Sequence, residues 1–182
     1  MAKRMFIALD LPPQVAGTLA DLDPRLPGLH WFPAPMPHLT LCFLAVVPEE
    51  NEARLIDGLA GIQVPPFPLE LKGLGSFGRR GHPSVIWVGG GDHSREIHRL
   101  HRRVLEAVRA AGLKADARPF HPHVTLGRCK DLSPGALKDW LKSHRNSSFG
   151  VFDVTGFTLY ASELAPEGAK HERVFRRDFE TE

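Results

Sequence analysis

The sequence predicts one α+β domain of duplicated, bilobal build, each lobe a mainly antiparallel sheet with flanking helices, with a cleft between the lobes. Three observations carry that expectation. Strand-like and helix-like segments alternate in the same order in each half of the chain. The middle strand of each half opens on the same tetrapeptide pattern, His-x-Thr-Leu, at His38 and at His123. At 182 residues the chain can bury one sizeable core, and no Gly/Ser-rich or charged linker divides it. It therefore reads as a single domain over 1–182 with an internal repeat roughly over 3–75 and 84–160.

The first half opens with Arg4–Leu9, short and apolar, read as a strand that the D-L-P-P turn closes. Pro12–Leu22 has helical spacing, with Val15, Leu19 and Leu22 on one face and Asp10 as a candidate cap. A Pro/Gly-rich loop follows, with a short extended piece at Trp31–Phe32, and His38–Phe43 is the second strand. Pro48–Ile62 reads as a helix whose first turn carries Glu49, Glu50 and Glu52, the charge favoured at an N-terminus. Phe67–Leu74 alternates as a strand and Gly73–Gly81 reads as a connecting loop. The order then repeats. Ser84–Val88 is a strand, Gly89–Gly91 a turn, and Asp92 caps a helix that Gly112 stops near Ala111. His123–Arg128 is a strand, and Ser133 with Pro134 starts a helix to about Ser143. Val151–Tyr160 and Arg173–Phe179 read as the last strands.

Composition narrows the function classes. No run approaches the roughly 18 apolar residues of a membrane span, and MAKRMFIALDLPP lacks the apolar length and cleavage site of a signal peptide, so the cytoplasm is the expected location. Cys42 and Cys129 are the only cysteines, too few for a disulfide framework and without zinc-site spacing. A formal charge of +2 does not suit a protein that coats nucleic acid. Its distribution is uneven: residues 1–78 carry 5 Lys/Arg against 8 Asp/Glu, residues 79–182 carry 18 against 13. An anionic ligand finds its counter-charge in the second half, although Arg95, Arg99, Arg102, Arg103 and Arg109 also fit the solvated face of one helix.

In a strand, residues two apart share a face. His38 and Thr40 therefore project together, as do His123 and Thr125, while Leu39, Leu41, Val124 and Leu126 turn inward. One such motif is weak evidence, since a His and a Thr on one face are commonly just a hydrogen-bonded pair. Two copies, 85 residues apart at equivalent places, make a minimal site for phosphoryl transfer. Hydroxyls hold non-bridging oxygens, one imidazole takes a proton from the attacking group, and the other protonates the leaving oxygen. No carboxylate lies close in sequence to either motif to complete a metal site, and no cofactor is expected. His121, two residues before His123, reads as an exposed loop histidine rather than half of a metal pair. His98 and His101 read as part of a solvated helix face, and His93 lies near it.

Parity places Arg128 on the face away from His123 unless the strand ends or bulges at Gly127, and its donor fork suits phosphate. Trp31, Phe43 and Phe120 are candidates for stacking on a base. Phe43 shares parity with Leu39 and Leu41, so a core position competes, while Trp31 is read as a loop residue. Cys42 shares parity with Thr40, and Cys129 with Thr125; neither is assigned chemistry.

R-M-F-I-A-L-D-L-P, P-H-L-T-L-C-F-L, V-I-W-V, R-P-F-H-P-H-V-T-L-G-R and T-L-Y-A-S-E-L-A-P-E-G-A together resemble the two-histidine (2H) phosphoesterase superfamily. The nearest resemblance is to its RNA 2′,3′-cyclic phosphodiesterases, the bacterial 2′-5′ RNA ligase-like proteins, and it covers nearly the whole chain. Ala45 departs from the family's usual glycine after F-L, and His171 from its usual aromatic residue. The resemblance implies that His38 is the proton donor and His123 the proton acceptor. Thr40 and Thr125 hold the phosphate, with Arg128 a further contact, and water opens the cyclic phosphate to leave a 2′-phosphate without metal. The implied partners are RNA ends or small nucleotides bearing a 2′,3′-cyclic phosphate, met by a monomer. The alternatives are 2′-5′ ligation by the same histidines, a sibling activity on a small cyclic nucleotide, and a non-catalytic RNA-end binder.

Overall fold

The structure is a computed structural model and describes residues 3–33, 37–79, 82–91, 94–116, 118–130, 132, 134–165 and 168–180. Its elements run β1 (Arg4–Asp10), α1 (Pro13–Ala20), β2 (Leu29–Trp31), β3 (His38–Phe43), α2 (Glu49–Ala60) and β4 (Phe67–Arg79). They continue with β5 (His82–Gly90), α3 (Arg95–Ala110), β6 (His123–Cys129), α4 (Pro134–Ser143), β7 (Ser148–Val154), β8 (Gly156–Ala165) and β9 (Gly168–Asp178). The fold is mixed α/β with an antiparallel sheet, as the alternating periodicities imply.

The strands join in one nine-stranded sheet, ordered β7-β4-β5-β6-β3-β1-β8-β9, with β2 added against β6. The two middle strands meet at its centre through the pair Leu39↔Val124. The halves of the sequence interleave: β4 hydrogen-bonds to β5 and β7, and β1 takes β8 as its outer neighbour. Burial follows from the pattern of each strand, with Ile7, Leu39, Leu71, Val88, Val124 and Leu159 all at 0% exposure. Helices α2 and α3 lie close enough that a Cβ on Gly58 would sit 3.3 Å from that of Ala107.

Several expectations need correction. Asp10 does not cap α1; Pro12 holds that position and Asp10 ends β1. Residues 73–79 are not a loop but the far end of β4, paired with β5 as a hairpin. Gly75 belongs there because Trp87 of β5 lies across it, 2.3 Å from where a Cβ would stand. Gly89 and Gly90 are still in β5, and α3 is capped by Ser94, whose Oγ accepts from the Ile97 N–H. The expected caps Asp92 and Ser133 lie outside the described residues. The stretch 151–160 is two strands, β7 and β8, separated at Thr155. The stop after α3 is as expected: Gly112 has φ +77° and Leu113 N–H donates to Val108 C=O.

Candidate active site

Each His-x-Thr strand carries a bulge at the same step. On β3, Asp10 pairs with His38, Leu9 with Leu39 and Ala8 with Thr40; the register then slips, and Ile7 pairs with Cys42 and Phe6 with Phe43. On β6, Gly89 pairs with His123, Val88 with Val124 and Trp87 with Thr125; after the slip Ile86 pairs with Gly127 and Val85 with Arg128. The extra residues are Leu41 and Leu126, both buried, each the fourth residue of its motif. A bulge reverses the alternation beyond it. Phe43 therefore shares a face with His38 and Thr40, and Arg128 with His123 and Thr125.

Leu39 and Val124 point into the core from the pair that joins the strands, so the four motif side chains flank that pair on the opposite face. All four are half-buried. The bulges also correct the straight-strand count for their neighbours. Phe43 is 54% exposed, whereas Cys42 is 4% exposed and turned inward, where burial pushes its thiol up to about 11. Cys129 lies against the small cluster of Ile86, Leu132 and Leu137, away from Thr125.

His38 sits at the end of a stack of rings. Phe6, its face parallel to the imidazole within 25° at 4.9 Å, is itself stacked on Tyr160 at 5.2 Å. Tyr160 Oη donates to Asp10, which also accepts from Thr158 Oγ1 at 2.7 Å and from Arg176 Nη1 at 2.9 Å. Burial, then donation to Asp10, raises the Tyr160 phenol above its usual range. His171 of β9 stands edge-on to both Phe6 and His38, at 4.9 and 5.7 Å, and burial holds its imidazole below the usual range.

The His123 side is built differently. Its Nδ1 lies 2.7 Å from the carbonyl oxygen of His121. A carbonyl only accepts, so Nδ1 carries the proton of that bond and the lone pair of the neutral ring falls on Nε2. Phe77 of β4 stands perpendicular to the His123 ring at 4.9 Å and covers Trp87 at 5.2 Å. The indole Nε1 of Trp87 is buried with no acceptor among the described residues. His121 is exposed, with its ring 4.8 Å from Trp87. Among the described residues, no three His, Cys, Asp or Glu side chains come together as a metal ion would require.

A family model described as 2′-5′ RNA ligase superfamily matches residues 11–165. The chain belongs to the 2′-5′ RNA ligase superfamily. Within the superfamily it is similar to the RNA 2′,3′-cyclic phosphodiesterase of Archaeoglobus fulgidus, 33% identical over 177 residues that cover 94% of this chain and 99% of that one. Among solved structures it resembles a Thermus thermophilus protein, with TM-score 0.80, 27% identity and 97% of each chain covered. It also resembles E. coli LigT complexed with 3′-AMP, with TM-score 0.79, 29% identity and 100% of each chain covered.

This superfamily member departs from the pattern where the backbone reacts to it. Ala45 takes φ +43°, the left-handed conformation that glycine adopts without cost. Two aromatic candidates are not brought to the site. Trp31 lies in β2 opposite Gly127, donates its indole N–H to Leu19 C=O at 3.0 Å and packs edge-on against Trp140. Strand alternation thus brings exposed His30, not Trp31, to the face of Arg128. Phe120 is stacked on His101 of α3 at 3.9 Å. The residues that sequence reading missed are Phe6, Tyr160, Phe77 and Trp87. Only the register of distant strands brings them to the histidines, and no local motif marks it.

Proposed function

We propose that this chain opens 2′,3′-cyclic phosphate ends of RNA to 2′-phosphomonoesters by metal-independent histidine acid–base catalysis. The observation that carries the reading is the placement of two His-x-Thr motifs on one face, either side of the Leu39–Val124 pair. The A. fulgidus relative's name, RNA 2′,3′-cyclic phosphodiesterase, and the 3′-AMP held by LigT support it.

Thr40 and Thr125 donate to the non-bridging oxygens of the cyclic phosphate, and Arg128 adds positive charge at the edge of the site. His123 accepts a proton from water through Nε2, which its bond to His121 C=O leaves as the basic nitrogen. The water oxygen attacks phosphorus as the bond to O3′ breaks, and His38 gives a proton to O3′. The 2′-phosphate remains, and proton exchange with solvent resets both imidazoles. The same steps with an RNA 5′-hydroxyl in place of water give a 2′-5′ linkage, the reaction for which the superfamily is named. Water in great excess favours hydrolysis. We take the whole chain, 1–182, as one functional domain with its cleft between two lobes, acting as a monomer in the cytoplasm. Among the described residues no helix is long and apolar enough to cross a membrane.

The test is an RNA ending in a cyclic phosphate, incubated with the protein and EDTA, with the product isomer identified by NMR. A 2′-phosphate is expected. Product that appears only when zinc or manganese is returned supports a metal site through His121 and His123 instead. Tight binding without product supports an RNA-end binder.

A further inference from the structure

Phe77 stands in a cross-strand row of which the proposed chemistry uses only Arg128. On one face of the sheet Phe77 of β4 pairs with Val85 of β5, Val85 with Arg128 of β6, and Arg128 with His30 of β2. The row places an exposed aromatic ring at one end and two cationic or ionisable side chains at the other. With strands about 4.8 Å apart, Phe77 and Arg128 are separated by roughly 10 Å at the backbone. Along β6, Arg128 lies about 7 Å beyond Thr125, a reach that one extended nucleotide spans.

The aromatic end is held in place before any ligand arrives. Trp87 lies against Gly75 and beneath a tilted Phe77, and His121 closes on both rings at 4.8 and 5.6 Å. Phe77 is nevertheless 37% exposed. Among the described residues the exposed large hydrophobics are Phe43, Val46, Phe77 and Val151, and the two aromatic ones both lie on the catalytic face, one on each side of the histidine pair. A single nucleoside has one base to stack; this face offers a ring on either side of the phosphate. A fixed ring and a guanidinium on the same face, two strands apart, are the kinds of group that single-stranded RNA uses, base on the ring and phosphodiester on the cation.

We propose that Phe77, Arg128 and His30 form a second nucleotide subsite, which binds the nucleotide adjoining the cyclic phosphate, and that the substrate is an RNA chain rather than a mononucleotide. This rests on the proposed phosphodiesterase function. The base stacks on Phe77, and the phosphodiester that joins it to the terminal nucleotide meets Arg128, with His30 beside it.

The experiment compares kcat/KM for three substrates: a nucleoside 2′,3′-cyclic phosphate, a dinucleotide ending in one, and the same dinucleotide with its first nucleotide abasic. The intact dinucleotide should exceed the abasic one by about 5- to 150-fold, the worth of one stacked base. Phe77→Ala should collapse that ratio, and Phe77→Trp should keep it. Arg128→Ala should shrink the advantage of the abasic dinucleotide over the mononucleotide and lessen its salt dependence. Ratios taken within one variant cancel any effect on His123 itself. Equal kcat/KM for all three substrates with the wild-type protein overturns the subsite and leaves the phosphodiesterase reading standing. So does a base advantage that survives Phe77→Ala. If the wild type opens none of them, the phosphodiesterase reading falls. The subsite is then judged by calorimetric affinity for the corresponding 2′-phosphates, and equal affinities overturn it.

Discussion

Replacing Phe6 by Leu should slow the chemical step while leaving phosphate binding nearly intact. Phe6 is 4% exposed, and its ring lies between the His38 imidazole and the Tyr160 phenol. Leucine keeps the site apolar and removes both stacks. A stacked aromatic pair contributes about 0.5–1.5 kcal/mol beyond area burial, so the two pairs alone amount to about 1–3 kcal/mol of stability, before any cost of the volume change. Only the contact with His38 bears on catalysis. If it is what holds the imidazole in its productive rotamer, losing 0.5–1.5 kcal/mol there lowers kcat about 2- to 13-fold. KM should move less, because the proposed phosphate contacts, Thr40 and Thr125, do not involve Phe6. The assay is steady-state opening of a cyclic phosphate, paired with urea unfolding of the same variant. Tyr160→Phe, which keeps the ring and deletes the donor to Asp10, should give a smaller effect of the same kind. A Phe6→Leu protein that loses the expected stability yet turns over at the wild-type rate would refute the reasoning. The stack would then be packing and nothing more.

The other expectations are of varied kinds. His38→Ala and His123→Ala should each lower kcat by about 10²–10⁴, with the double variant losing less than the product because the pair acts as a unit; near wild-type turnover in either would end the two-histidine mechanism. Thr40→Val and Thr125→Val should each lower kcat/KM roughly 10- to 150-fold, the worth of one charge-assisted hydrogen bond of about 1.5–3 kcal/mol, and an effect below twofold would remove the hydroxyl from the phosphate grip. Ala45→Gly should raise stability by up to about 1 kcal/mol, relief from a left-handed alanine partly offset by a freer unfolded chain; a lower urea midpoint would contradict the assigned backbone. Burial first, then His98 and Arg109, hold the His101 imidazole below its usual range. Its contribution is thus fully present above the unfolded value of about 6.5 and is lost as pH falls through the folded value. His101→Phe keeps the ring stacked on Phe120 and should flatten the decline in urea midpoint below pH 6.5; an unchanged slope would assign that decline to other groups.

Much of this molecule is legible in its sequence, and what is not has identifiable causes. Alternation alone put His38 with Thr40 and His123 with Thr125, because each pair precedes its bulge. Beyond Leu41 and Leu126 the same count failed, misplacing Cys42, Phe43 and Cys129. A bulge adds one residue without altering composition, and here both added residues are buried leucines that read as ordinary strand. The far half of β4 looked like a loop since Gly73, Gly75 and Gly78 are usual loop residues. In the fold they answer close approach: a Cβ on Gly73 would lie 2.7 Å from Arg145 C=O. Strand exchange between the halves was equally hidden. Hydrophobic pattern says which face of β4 is buried, not that β5 and β7 flank it.

That exchange bears on how the protein comes into being. Asp10 meets Thr158 and Arg176 across separations of 148 and 166 residues. Pairings this distant in sequence make for slow folding, since the chain must close long loops before the contacts repay it. They also fix the order in which function can arise during synthesis. His38 leaves the ribosome early, yet Tyr160 and His171, which form its surroundings, come from β8 and β9. A nascent chain that already holds both histidines still lacks one wall of its catalytic face. The enzyme is expected to stay inert until its C-terminal hairpin docks, so a truncation within β9 should silence a site whose motifs are all intact.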